Sequence, residues 1–256
     1  MSPTPHAPAE PDARDVPGVD PRERIYAVGD LHGRHDLLLA MLARIEADAA
    51  RFDDGRQTRL VMLGDYVDRG DDSARVIETL AELSAARDRN VDCLMGNHEA
   101  AMLAFLADPV HGRAWLDFGA AQTLASFGIG CPGETDDPAA LGGVRDALVT
   151  ALGTRLGFLQ ALPSHIRSGD VVFAHAGLNP AGTARFSDAH AMLWGAPGFL
   201  VPRPIPGLRV VHGHYDRPEP EVHPGRVGID TGAYHTGRLT AVRLDAGEAL
   251  ITVNTL

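Results

Sequence analysis

The hydrophobic positions of this chain include five short runs, and each run ends at or beside an Asp, Asn or His. Runs of four to eight apolar residues predict buried strands. Ligand sites of open α/β sheets lie at the carboxyl ends of the strands, so we expect these polar ends to meet. Buried polar side chains need partners, and one shared metal site accounts for all five runs. The runs are residues 25–32, 59–65, 91–95 (followed by Gly96-Asn97-His98-Glu99), 171–175 and 209–214.

Between these runs the apolar spacing changes to that of amphipathic helices. Residues 36–51 and 73–84 carry apolar side chains three and four positions apart, and Asp72 or Ser73 is the expected N-cap of the second helix. The order strand, helix, strand, helix, strand predicts an α/β fold in which helices cover a sheet.

The middle and the end of the chain have different patterns. Residues 99–162 are rich in Ala and Leu and are interrupted by Gly and Pro, which predicts a helical insertion beside the sheet that lines the substrate cleft. Strands return from residue 171, and one short helix is expected near His190. Residues 227–229, 240–244 and 250–253 are expected to form a meander that closes a second sheet.

Composition limits the classes of protein to which the chain can belong. Residues 1–20 are rich in Pro, Ala and Asp and predict a disordered tail, while residues 21–256 predict a single domain. No apolar run approaches the roughly 18 residues of a membrane span, so we expect a cytoplasmic protein, as a monomer. The net charge of −11 argues against a nucleic-acid surface. Cys93 and Cys131 are expected to be free thiols.

The polar strand ends belong to motifs in which glycine accompanies the candidate ligands. Glycine lets the backbone turn sharply beside a metal or a phosphate. Oxygen and imidazole donors without thiolate suit divalent manganese, iron or zinc. In order, the motifs are Gly29-Asp30-Leu31-His32-Gly33, Gly64-Asp65-Tyr66-Val67-Asp68-Arg69-Gly70, Gly96-Asn97-His98-Glu99, His175-Ala176-Gly177 and His212-Gly213-His214.

In these motifs the chain resembles the calcineurin-type metallophosphoesterases, and among them the bacterial phosphoprotein phosphatases. The resemblance extends from residue 25 to about residue 244 and includes residues 227–233 (VGIDTGA) and 237–240 (GRLT). Several ordered motifs at compatible spacing make it specific. It implies two mixed β-sheets packed face to face as a sandwich, with helices on the outer faces.

The resemblance also implies a site with two divalent metal ions, Mn²⁺ first and Fe, Zn, Ni or Co as alternatives. A hydroxide bridging the two ions would be the nucleophile, so no phosphoenzyme is needed. The implied ligands are Asp30 and His32 for the first ion, Asp65 for both ions, and Asn97, His175 and His214 for the second ion.

Three further residues are implied in catalysis. Arg69 would bind the phosphate through two hydrogen bonds, together with Asn97 and His98. His98, oriented by Asp68, would act as the general acid for the leaving group or stabilise it electrostatically.

Residues near the motifs have less direct expected roles. Tyr66 is expected to pack, and Glu99 to support His98 or the ligands from behind. Asp230 is expected in a turn or behind the ligands, and Tyr234 within reach of the cleft. His212 should point the same way as His214 along a strand, yet the resemblance assigns the ligand role only to His214, so its role stays open.

The chain departs from the family pattern around the phosphate. Near relatives carry an arginine shortly after a Leu-Trp pair, whereas residues 193–199 read LWGAPGF. Met95 stands where an arginine is common, and Asp71 stands where proline is common. Loss of one guanidinium contact costs about 1.5 to 3 kcal/mol. We therefore expect altered substrate preference, with Arg185 or Arg203 as substitutes.

Three functions are compatible with these observations. The first is a metal-dependent serine/threonine protein phosphatase, a reading that the Tyr-Val-Asp-Arg-Gly form of the second motif favours. The alternative is hydrolysis of a small molecule such as a symmetric dinucleoside tetraphosphate. A non-catalytic phosphate sensor is the third, and the intact ligand set and His98 argue against it.

Overall fold

The computed structural model describes residues 17–86, 89–133, 137–181, 188–201 and 205–255. Within these residues the strands form two five-stranded sheets, with the orders β10-β9-β1-β2-β3 and β4-β5-β6-β8-β7. The first sheet contains β1 (Glu23–Val28), β2 (Gln57–Met62), β3 (Val91–Cys93), β9 (Arg238–Leu244) and β10 (Glu248–Asn254). The second contains β4 (His165–Ser168), β5 (Val171–Ala174), β6 (Arg209–His212), β7 (Glu221–His223) and β8 (Arg226–Gly228).

The side-chain alternation of the strands explains why the two sheets pack face to face. Ile25 and Ala27 of β1 point into an inner core with Phe173 and Val211 of the second sheet. Tyr26 belongs instead to the outer core, against the helices. Because both faces of the first sheet are covered, β1 is apolar from Ile25 to Val28. The predicted α/β sandwich with mixed sheets is confirmed.

Helices cover the outer face of the first sheet, and α7 with loop residues packs on the second. The first sheet is covered by α1, α2 and the predicted insertion, whose Trp115, Leu124 and Leu141 belong to the outer core. The helices are α1 (His35–Ala49), α2 (Ser73–Ala85), α3 (Asn97–Ala107), a 3-10 helix (Arg113–Phe118), α4 (Ala120–Ser126), α5 (Pro138–Leu152), α6 (Arg155–Gln160), α7 (Ala189–Trp194) and α8 (Ala233–Thr236).

The prediction that the C-terminal strands form one meander in the second sheet is wrong. β8 pairs with β6 in the second sheet, whereas β9 pairs antiparallel with β1 and then with β10 in the first sheet. The chain crosses between the sheets at α8, after the left-handed Gly232. β9 forms backbone hydrogen bonds with β1, which would otherwise be an open edge of the first sheet. The sequences of the three strands do not indicate which sheet each one joins.

The predicted boundary of the tail, at residue 20, lies too far along the chain. Gly18 O accepts a hydrogen bond from Asp170 N, Asp20 N donates to Ser168 Oγ, and Val19 is buried in the inner core. These contacts place residues 18–20 on the fold. Residues 1–16 lie outside the described residues.

Two expectations concern the chain's surroundings. Among the described helices, none has both the length and the apolarity that a membrane crossing requires. A cytoplasmic location and a monomeric state stay predictions. Cys93 is buried and Cys131 is exposed, and both are free thiols, as expected.

Candidate metal centre

The polar residues predicted to meet lie shortly after the ends of strands of both sheets. Asp30 and His32 follow β1, Asp65 follows β2, and Asn97 and His98 begin α3 just after β3. His175 follows β5 and His214 follows β6. The carboxyl ends of five strands thus converge on one region, as the hydrophobic pattern predicts.

Backbone strain is concentrated in this region. Five of the described residues other than glycine have a positive φ, and all five lie in the predicted motifs. Such conformations persist only where the surrounding structure enforces them, and they cluster at functional sites. The five residues are His32 (42°), Asp65 (52°), Asp68 (71°), Arg69 (70°) and His214 (66°).

Asp65 lies at the centre of the cluster. Its Oδ2 is 3.5 Å from His32 Nε2 and 3.9 Å from His98 Nε2. Its Oδ1 is 3.4 Å from His175 Nε2 and accepts a hydrogen bond from His98 N. The two oxygens of one carboxylate therefore face two different sets of imidazoles.

Asn97 and His214 complete the side of the cluster that contains His175. Asn97 Oδ1 lies 2.8 Å from His175 Nε2 and 2.9 Å from His214 Nδ1, and the two histidine nitrogens are 3.2 Å apart. Among the described residues, two groups offer donor atoms within 4.8 Å of one another, and both contain Asp65. The groups are His32, Asp65 and His98, and Asp65, His175 and His214.

The hydrogen bonds of the histidines show that these donors suit cations. His32 Nδ1 donates to Val67 O and His175 Nδ1 donates to Leu63 O, which leaves each Nε2 as an unprotonated lone pair facing Asp65. Burial lowers the pKa of His32 to about 3 and also lowers the pKa of His175. Lone pairs directed at a carboxylate repel it, and a divalent cation between them would remove that repulsion.

The charge state of Asp65 agrees with this arrangement. Burial raises the pKa of Asp65, but the nearby His175, His98 and His32 lower it by more. The net pKa of Asp65 therefore lies below its ordinary value. The pKa of His214 is lowered to about 4, chiefly by burial. The centre therefore offers the carboxylate of Asp65 and the imidazoles of His32, His175 and His214, which their lowered pKa values keep neutral, and these are suitable ligands for a hard or borderline divalent ion.

Asp30 lies beside the cluster but is in neither donor group. Its carboxylate accepts a hydrogen bond from His214 N at 3.1 Å. Burial, followed by the charges of Asp230 and Asp65, raises the pKa of Asp30 well above its ordinary value. His98 takes the place in the first group that the sequence assigned to Asp30, and a ligand role for Asp30 stays a prediction.

Asp68 and His98 form the expected pair, and the helical insertion holds it. His98 Nδ1 donates to Asp68 Oδ2 at 2.7 Å. Trp115 Nε1 donates to the same oxygen at 2.9 Å, and Thr123 Oγ1 donates to Oδ1 at 2.7 Å. Burial lowers the pKa of His98, but Asp65 and Asp68 raise it more, so the net pKa lies above the ordinary value.

Replacing Thr123 with Val is expected to weaken both the fold and the His98 site. Val keeps the shape but removes a hydrogen bond to a fully buried carboxylate, which costs about 1.5 to 3 kcal/mol of unfolding free energy. Urea unfolding measures this loss, and kcat should fall because Asp68, the partner of His98, is held less firmly. Thr150→Val, at an exposed position of α5, is the control and should change neither quantity. A Thr123→Val chain as stable as the wild type would contradict the role of this bond.

Arg69 reaches into the cluster from the surface. Its Nη1 donates to His32 Nε2 at 3.0 Å and its Nη2 donates to His98 Nε2 at 3.1 Å. The guanidinium lies 5.0 Å from the Tyr234 ring, and Arg69 N donates to Gly119 O. The side chain is thus placed between the two histidines of the first group, where it can contact a phosphate.

The residues with less direct expected roles lie as follows. Glu99 accepts hydrogen bonds from the backbone of Asp65, Tyr66 and Val67 and so fixes the ligand loop from behind, and burial raises its pKa to about 8. The Tyr66 hydroxyl donates to Leu94 O within the core. Tyr234 lies 5.4 Å from His32, within reach of the cleft.

His212 does not enter the centre. Its ring packs against Phe199 and Tyr215, and its Nδ1 donates to Gly213 O. The expectation that His212 points the same way as His214 is wrong because β6 ends at His212 and the positive φ of His214 interrupts the strand alternation. Arg185 and Arg203 lie outside the described residues.

Sequence reasoning missed the contribution of the insertion to the site. Trp115, Thr123 and Gly119 contact Asp68 and Arg69 but belong to no recognised motif. The run Trp115 to Thr123 (WLDFGAAQT) holds one of only two tryptophans in the chain, and that is the sole signal it offers.

Known proteins share both the sequence pattern and the fold. The family model described as calcineurin-like phosphoesterase matches residues 23–218. A symmetrical bis(5'-nucleosyl)-tetraphosphatase of Xanthomonas axonopodis pv. citri is 26% identical over 270 residues, which cover 88% of this chain and 83% of that protein. One of Nitrosomonas europaea is 39% identical over 85 residues, which cover 33% of this chain and 28% of that protein.

A solved structure confirms the fold at lower sequence identity. A cold-active protein-tyrosine phosphatase of a Shewanella species superposes with a TM-score of 0.58 at 17% identity, covering 89% of this chain and 80% of that chain. At this identity the similarity concerns the arrangement of sheets and helices.

Proposed function

Because the chain belongs to the calcineurin-like phosphoesterase family, we propose that it hydrolyses a phosphoester or phosphoanhydride bond at a centre for two divalent metal ions. The observation that supports this most is that Asp65 is common to two buried donor groups, one facing each of its oxygens. We propose Mn²⁺ as the ion. The proposed ligands are Asp30, His32, Asp65, Asn97, His175 and His214.

Two divalent ions bound there would supply a hydroxide nucleophile at neutral pH and positive charge for the phosphoryl oxygens. The side chains around the centre have separate tasks. Arg69, with two N–H groups directed into the cluster, binds phosphate oxygens. Phosphate bound by Arg69 would release His98 Nε2 from the guanidinium; protonated there, His98 donates that proton to the leaving oxygen, and Asp68 keeps its ring oriented through Nδ1.

For the substrate, we propose a symmetric dinucleoside tetraphosphate first. Curated relatives that align with 88% of this chain carry the name of that activity. This support reverses the preference for phosphoproteins that the second motif suggests.

Phosphoserine or phosphothreonine in proteins is the second candidate. The sequence of residues 66–70, Tyr-Val-Asp-Arg-Gly, favours it, since this form of the motif resembles the protein phosphatases. The two substrates differ in the leaving group, which is a nucleoside diphosphate in one case and a side-chain alkoxide in the other.

Turnover of three substrates by the Mn²⁺-loaded chain tests the proposal. A symmetric dinucleoside tetraphosphate, a phosphoserine peptide and p-nitrophenyl phosphate are compared with and without a chelator. Metal-dependent release from at least one supports hydrolysis, and the highest kcat/KM identifies the substrate class. No release from any of them would instead favour the phosphate sensor.

A further inference from the structure

A line of rings extends from His98 away from the metal centre. The centroid of Phe118 lies 5.8 Å from His98, and that of Trp194 lies 6.2 Å from Phe118. His190, one helical turn before Trp194 on α7, stacks on it with 22° between the planes. We term Phe118, Trp194 and His190 the aromatic shelf. Trp194 is 38% exposed and is one of the few large hydrophobic side chains at the surface of the described chain.

The aromatic shelf lies on one particular side of the reaction centre. Tyr234 contacts His32 and the guanidinium of Arg69, and thus borders the side where phosphate would bind. Phe118 contacts His98, whose proposed task is to face the leaving oxygen. A group departing past His98 would therefore move along Phe118 toward Trp194.

We propose that the aromatic shelf is a base-binding subsite that stacks the nucleobase of a nucleoside diphosphate leaving group, an inference that rests on the proposed function. In the reaction, water oxygen forms a bond to the attacked phosphorus, the central phosphoanhydride P–O bond breaks, and the proton goes to the departing diphosphate. Two phosphates and a ribose separate this bond from the base. Trp194, the more distant ring, is therefore the stacking partner, and Phe118 borders the ribose and phosphates.

The sequence around Trp194 agrees with recognition by stacking. Residues 195–198, directly after Trp194, are Gly-Ala-Pro-Gly. This segment therefore places no charged side chain beside the ring of Trp194. Every base has a π face, and stacking one base on an aromatic ring raises affinity by about 5- to 150-fold.

Tryptophan fluorescence provides a direct test that needs no turnover. The chain has two tryptophans, Trp115 and Trp194, so Trp194→Phe leaves only the emission of Trp115. The Zn²⁺-loaded chain is titrated with ADP and with inorganic pyrophosphate. We expect ADP to quench the emission of Trp194 and to bind at least about fivefold more tightly than pyrophosphate. Calorimetry should show that Trp194→Ala abolishes this difference and that Trp194→Phe, which keeps a ring, retains most of it.

Kinetics provide a second readout. Trp194→Ala should raise KM for the dinucleoside tetraphosphate at least about fivefold more than it raises KM for p-nitrophenyl phosphate, with a smaller effect on kcat. Val201→Ala, at an exposed valine beyond α7, is the matched control and should change KM for neither substrate. Circular dichroism and thermal melting establish that each variant is folded.

Several results would overturn the base-binding subsite. These are equal affinity for ADP and pyrophosphate, equal losses on both substrates in Trp194→Ala, or a Trp194→Ala loss confined to a phosphoserine peptide. A chain that hydrolyses no substrate but still binds ADP in preference to pyrophosphate through Trp194 would support the subsite and refute the proposed hydrolysis. The two failures are therefore distinguishable.

Discussion

Asp65→Asn is expected to lower kcat by at least about a thousandfold on every substrate that the chain hydrolyses. Asp65 is the residue common to both donor groups, and its two oxygens face His32 on one side and His175 on the other. Asn retains one carbonyl oxygen but loses the negative charge, so it cannot balance two divalent ions at once. The measurement is kcat with saturating Mn²⁺ for the best of the three substrates.

Asp117→Asn is the matched control for this prediction. Asp117 is an exposed carboxylate of the same 3-10 helix that carries Trp115, and its substitution should leave kcat unchanged. Asn at position 65 can still accept the hydrogen bond from His98 N, so urea unfolding of the metal-free chain should be close to that of the wild type. An Asp65→Asn chain with more than a tenth of wild-type activity would contradict the role of Asp65.

His98→Asn should lower kcat by about 10²- to 10⁴-fold on a phosphoserine peptide, and by much less on p-nitrophenyl phosphate. An alkoxide leaving group needs a proton as it departs, whereas p-nitrophenolate is weakly basic and departs without one. The Asn side chain can still donate to Asp68 from the position of Nδ1, so the buried carboxylate keeps that hydrogen bond. The ratio of the two losses separates proton donation from a merely structural role.

The same variant should also affect nucleotide hydrolysis less than peptide hydrolysis, because a diphosphate is a weak base. His111→Asn is the control, since His111 is 87% exposed and pairs with Asp108 at the surface. Equal losses on the phosphopeptide and on p-nitrophenyl phosphate would contradict proton donation by His98 and would leave only an electrostatic effect for this residue.

The sequence was sufficient to predict which residues converge, because strand ends are marked by local pattern. Apolar runs that stop at Gly-Asp or at His locate β1, β2, β5 and β6 within a few residues, and the glycines mark the tight turns. Parallel pairing then brings those ends to one edge of each sheet. The helices α1 and α2 follow from the same reasoning.

Features that depend on tertiary contacts could not be predicted. The assignment of β9 to the first sheet depends on the open edge of β1, which is not visible in the sequence of β9. The positive φ of His214 turns it away from the alternation that includes His212. Trp115 and Thr123 reach Asp68 only because the insertion packs on α2 and α3, and their spacing to the motif carries no signal.

Anomalous diffraction from crystals of the Mn²⁺-loaded chain tests the central claim most directly, since it places each ion relative to Asp65. We predict two anomalous peaks per chain, both within coordinating distance of the Asp65 carboxylate, one beside His32 and the other beside His175 and His214. A single peak, or two peaks of which one makes no contact with Asp65, would contradict the shared centre.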